Sequence, residues 1–242
     1  MKRKSLTPGA LTAPLPPCMV TVGDMEKNNV LTVAWTGILA TTPPKTYISV
    51  RPSRHSHKML GVGEEFVINL PSSDLAETVD FVGIYTGAKM DKFMRCGLTR
   101  IKSEKVKAPT IAECPVALEC RITEVLPMGS HDVFIADVVS VSCREELIDR
   151  EGKLHFEEAD LLAYAHGEYY RLGERVGRFG FSTDRKKAPA KKPKTEKDTK
   201  TEKSAQNREP FYKAAPRGKT QKKKVPSDKG RPHGRRKREE KG

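Results

Sequence analysis

The amino-acid sequence predicts a mainly β fold, a barrel of strands interrupted by short helical insertions and followed by a disordered basic extension. Short runs rich in β-branched and apolar residues recur between turn-forming clusters. Long amphipathic helical periods are absent. Composition changes abruptly near residue 184.

The 242 residues suffice for one large domain or two small ones, and the hydrophobic fraction of 36% is low for a fully globular chain. The deficit is concentrated at one end. From Arg185 onward 23 Lys and Arg face 7 Asp and Glu, a charge of +16 that leaves about −2 of the whole-chain +14 for the preceding residues. Beyond Ser182 large apolar residues are nearly missing until Phe211 and Tyr212, so burial cannot offset the entropy of ordering and disorder is expected. Three regions follow: an extended Pro-rich arm over 1–17, a globular body over 18–183 and a Lys/Arg-rich tail over 184–242. No run approaches the roughly 18 apolar residues of a membrane span. The basic start M-K-R-K lacks an apolar signal core, so no membrane association and a cytoplasmic location are expected. Cys18, Cys96, Cys114, Cys120 and Cys143 form an odd set without C-x-x-C. Reduced, buried thiols and no metal site are expected. Cys114 and Cys120 are read onto one strand, about six strand rises apart and too far to bridge.

In chain order, Cys18 to Gly23 opens the first strand and Gly23 to Asn29 is a polar turn. Val30 to Trp35 reads as a buried strand, Thr41 to Pro44 as a turn, and Thr46 to Val50 as the next strand. A helix is expected from an N-cap at Ser53 to near Gly61 or Gly63. Phe66 to Leu70 is a strand. Ser73 is the expected N-cap of a helix that turns Leu75, Val79 and Val82 to one face, and Met90 to Cys96 reads as a short basic helix. Val116 to Val125 and Val133 to Ser142 are the longest strands, joined by P-M-G-S-H-D. In the first of them Val116, Leu118, Cys120 and Ile122 alternate with Ala117, Glu119, Arg121 and Thr123, which suits a barrel wall with one side in the core. Asp149 to Lys153 reads as a tight turn, and Leu161 to Phe181 is aromatic- and Gly-rich.

One stretch concentrates polar donors. Behind Ser53, the first turn of the expected helix would direct free N–H groups at an anion, where Arg51, Arg54, Ser53, Ser56 and His57 converge. A phosphate would be held there; the competing reading is a solvated basic helix start.

The runs T-V-A-W-T-G-I-L at 32–39, P-P-K-T-Y-I-S-V-R-P-S-R at 43–54, E-F-V-I-N-L-P at 65–71, D-K-F at 91–93, E-C-P-V-A-L-E-C at 113–120, G-S-H-D-V-F-I at 129–135 and H-G-E-Y-Y at 166–170 together resemble the flavoredoxin branch of the flavin reductase family. The resemblance spans roughly residues 10–183. It implies an antiparallel, Greek-key split β-barrel that binds FMN, usually as a homodimer with the flavin near the subunit interface.

FMN requires a phosphate cradle, an apolar slot for its ring and donors near the ring edge that gains charge on reduction. Strand-edge N–H groups over Thr32, Val33, Ala34 and Trp35, with the hydroxyls of Thr32 and Thr36, can supply those donors. The resemblance therefore implies FMN contacts from Asn29, Thr32, Val33, Ala34, Trp35, Thr36, Arg51, Ser53, Arg54, Ser56, His57 and Lys92. Trp35, read alone, is a core aromatic, and Lys92, read alone, is a solvated lysine; their flavin roles rest on the resemblance. His131 is similarly open between a structural hydrogen bond and the flavin–nicotinamide region to which the resemblance assigns its motif, in which Ser130 replaces an Asp. His166 is a weaker candidate for a cofactor or interface contact.

G-x-G-x-x-G after a strand, a P-loop, G-x-S-x-G and H-E-x-x-H are all absent. Hydride transfer to a flavin needs only stacking of nicotinamide on the ring, so no dedicated acid or base is required. Three activities fit. The first is an NAD(P)H-dependent flavin reductase that passes electrons to flavin, ferric or protein acceptors. The second is an FMN electron carrier fed by a redox protein. The third uses the barrel as a scaffold while the tail, through Lys222 to Lys224 and Arg235 to Arg238, binds nucleic acid or another polyanion.

Overall fold

The structure, a computed structural model, describes residues 1–183; the basic extension and its expected disorder and polyanion contacts lie outside the described residues. Residues 1–13 carry no regular structure and are exposed, and Leu15 makes a single antiparallel bridge to Tyr164.

Eleven strands and two α-helices follow in order: β1 (Cys18–Gly23), β2 (Asn28–Val33), β3 (Thr36–Thr41), β4 (Pro44–Val50), β5 (Glu65–Leu70), α1 (Ala76–Ile84), α2 (Lys92–Cys96), β6 (Arg100–Ile101), β7 (Thr110–Ile111), β8 (Val116–Pro127), β9 (Asp132–Cys143), β10 (Leu162–Ala165) and β11 (Glu168–Arg171). Seven strands form one antiparallel sheet in the order β2-β1-β5-β8-β9-β4-β3. Neighbours distant in sequence (β1 with β5, β5 with β8, β4 with β9) make the connections Greek-key in character. The two edge strands are consecutive in the chain. Where β2 passes into β3, the Trp35 carbonyl accepts from the Ser49 N–H of β4 at 2.9 Å, which curls the sheet almost shut.

The period-2 pattern explains the interior. Cys18, Val20 and Val22 of β1, Leu31 and Val33 of β2, Ile48 and Val50 of β4, Phe66 and Ile68 of β5, Cys120 and Ile122 of β8, and Phe134 and Ala136 of β9 fill the barrel. A second core lies outside it, where Val79 and Val82 of α1 and Phe93 of α2 cover Met19, Val30 and Ile111. Asp91 caps α2 by accepting from the N–H groups of Phe93 (2.9 Å) and Met94 (3.2 Å). Such a cap contributes about 1 kcal/mol. Gly97 ends the helix in the left-handed region at φ 66°, a conformation that glycine adopts without steric cost.

Several expectations are corrected. The expected strand through Trp35 stops at Val33, because the chain must change direction to start β3, a strand with no clear alternation in its sequence. Ser53 caps nothing: a five-residue 3-10 turn, His55–Met59, replaces the expected helix and is preceded by Arg54. Ser73 lies inside another 3-10 turn, and α1 begins only at Ala76. Cys114 precedes β8 instead of sharing it with Cys120, and all five cysteines are free. The wall formed by β8 is covered on both sides over Val116 to Cys120, whereas Arg121 and Thr123 are exposed opposite the buried Ile122, as the alternation predicts. Ala117 packs under the 103–108 segment. The buried carboxylate of Glu119 is satisfied by the N–H groups of Glu104 (2.9 Å) and Lys105 (2.6 Å), as a buried charge requires. Among the described residues no helix is long and apolar enough to cross a membrane.

Candidate functional site

The chain leaves β4 at Val50 and crosses the barrel mouth through residues 51–54 before the 3-10 turn. Two cavities flank this crossing, of about 320 and 380 Å³. Leu31, Arg51 and Arg54 line both, so the cavities adjoin at these three residues.

The larger cavity is polar and cationic. Lys92, at the start of α2, is only 3% exposed and donates to the carbonyls of Val30 (2.8 Å) and Val82 (2.7 Å). One ammonium proton remains uncommitted. Burial, with the Arg54 charge adding to it, pushes the Lys92 ammonium down to about 8, since a desolvated cation sheds its proton more readily. Arg54 donates to the Gly83 carbonyl at 2.8 Å. Among the described residues none of Lys92, Arg51 and Arg54 has a carboxylate partner. Three cations around one hollow without compensating charge make a site for an anion. Ser56 is fully buried at its floor, and its Oγ accepts from Asn29 Nδ2 at 2.7 Å. The 85–87 loop closes one side. A Cβ on Gly87 would lie 2.0 Å from Asn29 Oδ1. This backbone approach therefore requires glycine.

The smaller cavity is a slot bounded on one side by Thr32 to Trp35, at the end of edge strand β2, and on the other by Tyr164 and Tyr169 of the β10–β11 hairpin. No strand pairs with the outer edge of β2 among the described residues. His131, immediately before β9, packs its ring edge-on against Trp35 with centroids 4.4 Å apart, and its Nδ1 pairs with Ser130 Oγ at 2.9 Å. Burial first, and then the charges of Arg51 and Arg54, lower its affinity for a proton, which favours a neutral imidazole at the slot. The Tyr169 hydroxyl donates to Asp80 Oδ1 at 3.2 Å, and burial with that carboxylate pushes it up to about 12.

Of the residues singled out in the sequence, Asn29, Ser53, Ser56 and Lys92 line the polar cavity. Thr32, Val33, Ala34, Trp35 and His131 line the slot, and Arg51 and Arg54 line both. Thr36 and His57 line neither. The hydroxyls of Thr32 and Thr36, expected to face the ring, donate instead to the carbonyls of Val79 and, at 2.5 Å, Tyr47. His57 pairs instead with Asp132. The helix-dipole argument also lapses, since a five-residue 3-10 turn leaves anion binding to the side chains. His166 sits at the hairpin tip with φ 51° and lines neither cavity. His55, Gly87, Tyr164 and Tyr169 were not singled out. Only the Tyr pair had a visible signal, two aromatics set among short alternating strands.

A family model described as flavin reductase like domain matches residues 11–173. The flavoredoxin of Desulfovibrio vulgaris (Miyazaki F) is 28% identical with a TM-score of 0.69, over 75% of this chain and 100% of that one. An FMN-binding protein from Thermus thermophilus is 25% identical with a TM-score of 0.62, over 74% of this chain and 98% of that one. An uncharacterised protein of Pyrococcus abyssi is 30% identical over 168 residues, 69% of this chain and 96% of its own length. Strand order, the curled sheet and a match covering most of the chain agree: the protein belongs to the flavin reductase like domain family.

Proposed function

We propose that the protein binds FMN across the two cavities and acts as an oxidoreductase, taking electrons from NADH or NADPH and passing them to flavin, ferric or protein acceptors. The junction of an aromatic slot with an uncompensated cationic cavity at Arg51 and Arg54 carries this reading. A planar ring joined to a phosphate by a short polar chain has that shape and charge, and the donor set suits it. Arg51, Arg54, Lys92, Ser53 and Ser56 hold the phosphate, with His55 beside them. Trp35, His131 and the backbone of residues 32–35 bound the ring. FMN, when bound, supplies the two-electron chemistry. The side chains position it, exclude water from its inner face and leave the Trp35 side open, 38% exposed. The similarity to a flavoredoxin and to an FMN-binding protein supports the same cofactor.

The test is the visible spectrum of the purified, FMN-loaded protein under anaerobic conditions while NADH and then NADPH are added. A retained flavin band that bleaches with either nucleotide is expected. A retained band that stays oxidised replaces the reductase reading with an electron carrier fed by a redox protein, and loss of the band on desalting overturns both.

A homodimer is part of the proposal. Edge strand β3 presents Ile38, 82% exposed, and Leu39, 50% exposed. A second copy covers apolar faces of this kind. Light scattering is expected to give twice the chain mass of 27.0 kDa; a monomeric mass overturns this part. The free cysteines support a reducing, cytoplasmic setting. The +16 charge beyond residue 184 supports a polyanion such as nucleic acid as a further partner of that segment.

A further inference from the structure

His57 lies on the same short turn as Ser56, just after Arg51 and Arg54, but lines neither cavity. Its Nε2 pairs with Asp132 Oδ2 at 2.7 Å, and its ring stands edge-on to Phe134 with centroids 5.4 Å apart. Asp132 is the first residue of β9 and sits directly across the ladder from Val50, the residue from which the crossing departs. The pair therefore closes the 51–57 segment back onto the strand that pairs with its origin. The same turn is held on its other side by Ser56 to Asn29, and Arg54 is fixed to Gly83. Asp132 also follows His131, which packs on Trp35 in the slot. One contact thus fixes the phosphate cradle relative to the ring slot without touching either cavity.

We propose that His57 and Asp132 are a positioning pair that sets the cradle's cations at the distance from the slot that a phosphorylated flavin requires. The inference rests on the FMN reading above. Discrimination between FMN and riboflavin depends on it, because both ligands share the ring and differ in the phosphate.

The experiment compares dissociation constants of FMN and riboflavin, by flavin fluorescence quenching, for the wild-type protein, Asp132→Asn, His57→Gln and the double variant. FMN is expected to weaken about 10-fold in each single variant, with riboflavin affinity unchanged. The double variant should be no weaker than either single one, as for two halves of one contact. An unchanged FMN-to-riboflavin ratio, with or without a lower melting temperature, makes the pair a fastening of the fold only and overturns the proposal. Equal weakening of both flavins does the same. Should Asp132→Asn fail to fold, Asp132→Glu, which keeps the charge at longer reach, is expected to lower the ratio to a smaller extent, and a wild-type ratio in it overturns the proposal. Absence of FMN binding by the wild-type protein overturns the functional reading and this role with it.

Discussion

Replacing Lys92 with Met is expected to weaken FMN binding roughly 30- to 100-fold while shifting the melting temperature of the ligand-free protein by only a few degrees. A charge-assisted hydrogen bond to phosphate contributes about 2–3 kcal/mol, and each step of about 1.4 kcal/mol is tenfold in affinity. Folding responds differently because the ammonium is buried without a counter-ion. Its removal relieves a desolvation cost that offsets the loss of bonds to the Val30 and Val82 carbonyls, and Met refills the space of the aliphatic stem. Isothermal titration of FMN, with riboflavin as the phosphate-free control, separates the two effects; parallel loss of both ligands would show damage to the fold instead. The pH dependence follows from the depressed ammonium. The folded-state value of about 8 lies below the ordinary 10.5, so between these values the unfolded chain holds a proton that the folded chain has shed. Stability of the ligand-free protein therefore rises across that window, and below it the buried charge destabilises the fold fully. FMN affinity runs the opposite way, falling as pH rises through about 8 while the neutral amine replaces the cation. Both slopes should vanish in the Met variant.

Gly87→Ala should lower FMN affinity about 100-fold and destabilise the protein by roughly 2–3 kcal/mol. The new methyl would lie 2.0 Å from Asn29 Oδ1 and 2.6 Å from its Cγ, far inside van der Waals contact. Asn29 is only 6% exposed and bonded to a fully buried Ser56, so it has little room to turn aside. Either the 85–87 loop retreats and widens the cationic cavity, or Asn29 swings out and leaves the Ser56 hydroxyl without its donor. Urea unfolding and FMN titration on the same preparation measure the two losses. Asn29→Ala combined with Gly87→Ala should regain part of the stability, since the collision is gone, but not the affinity.

The barrel was legible because alternation survives in β1, β5, β8 and β9, where one register puts Val20, Phe66, Cys120 and Phe134 inside. Signals of period 2 weaken where an edge strand faces solvent on one side and a neighbour's end on the other. β3 was lost for that reason: its residues Gly37 to Ala40 are largely exposed and carry no buried stripe. Arg51 and Arg54 were found from the donor-rich stretch around Ser53, and Lys92 through the family's D-K-F motif. The depth of Lys92 was not visible, because burial of a lysine depends on α1 and β2 closing over it from distant parts of the chain. Gly87 was equally silent: a missing side chain announces a close approach only when the opposing atom is known. The Ser53 expectation failed in the backbone. Arg54 is extended, with φ −73° and ψ 137°, so the turn that Ser53 would cap does not form and only the 3-10 turn His55–Met59 does.

The His57–Asp132 contact joins residues 75 positions apart, and Lys92 reaches Val30 across 62. Closing such long loops costs chain entropy before any local contact repays it, so both arrive late on the route from the unfolded chain. Until β9 docks on β4 the cradle lacks its His57–Asp132 contact, and until α2 docks on β2 it lacks its buried cation. Cofactor capture therefore follows assembly of the barrel, and added FMN should slow unfolding while leaving the refolding rate nearly unchanged.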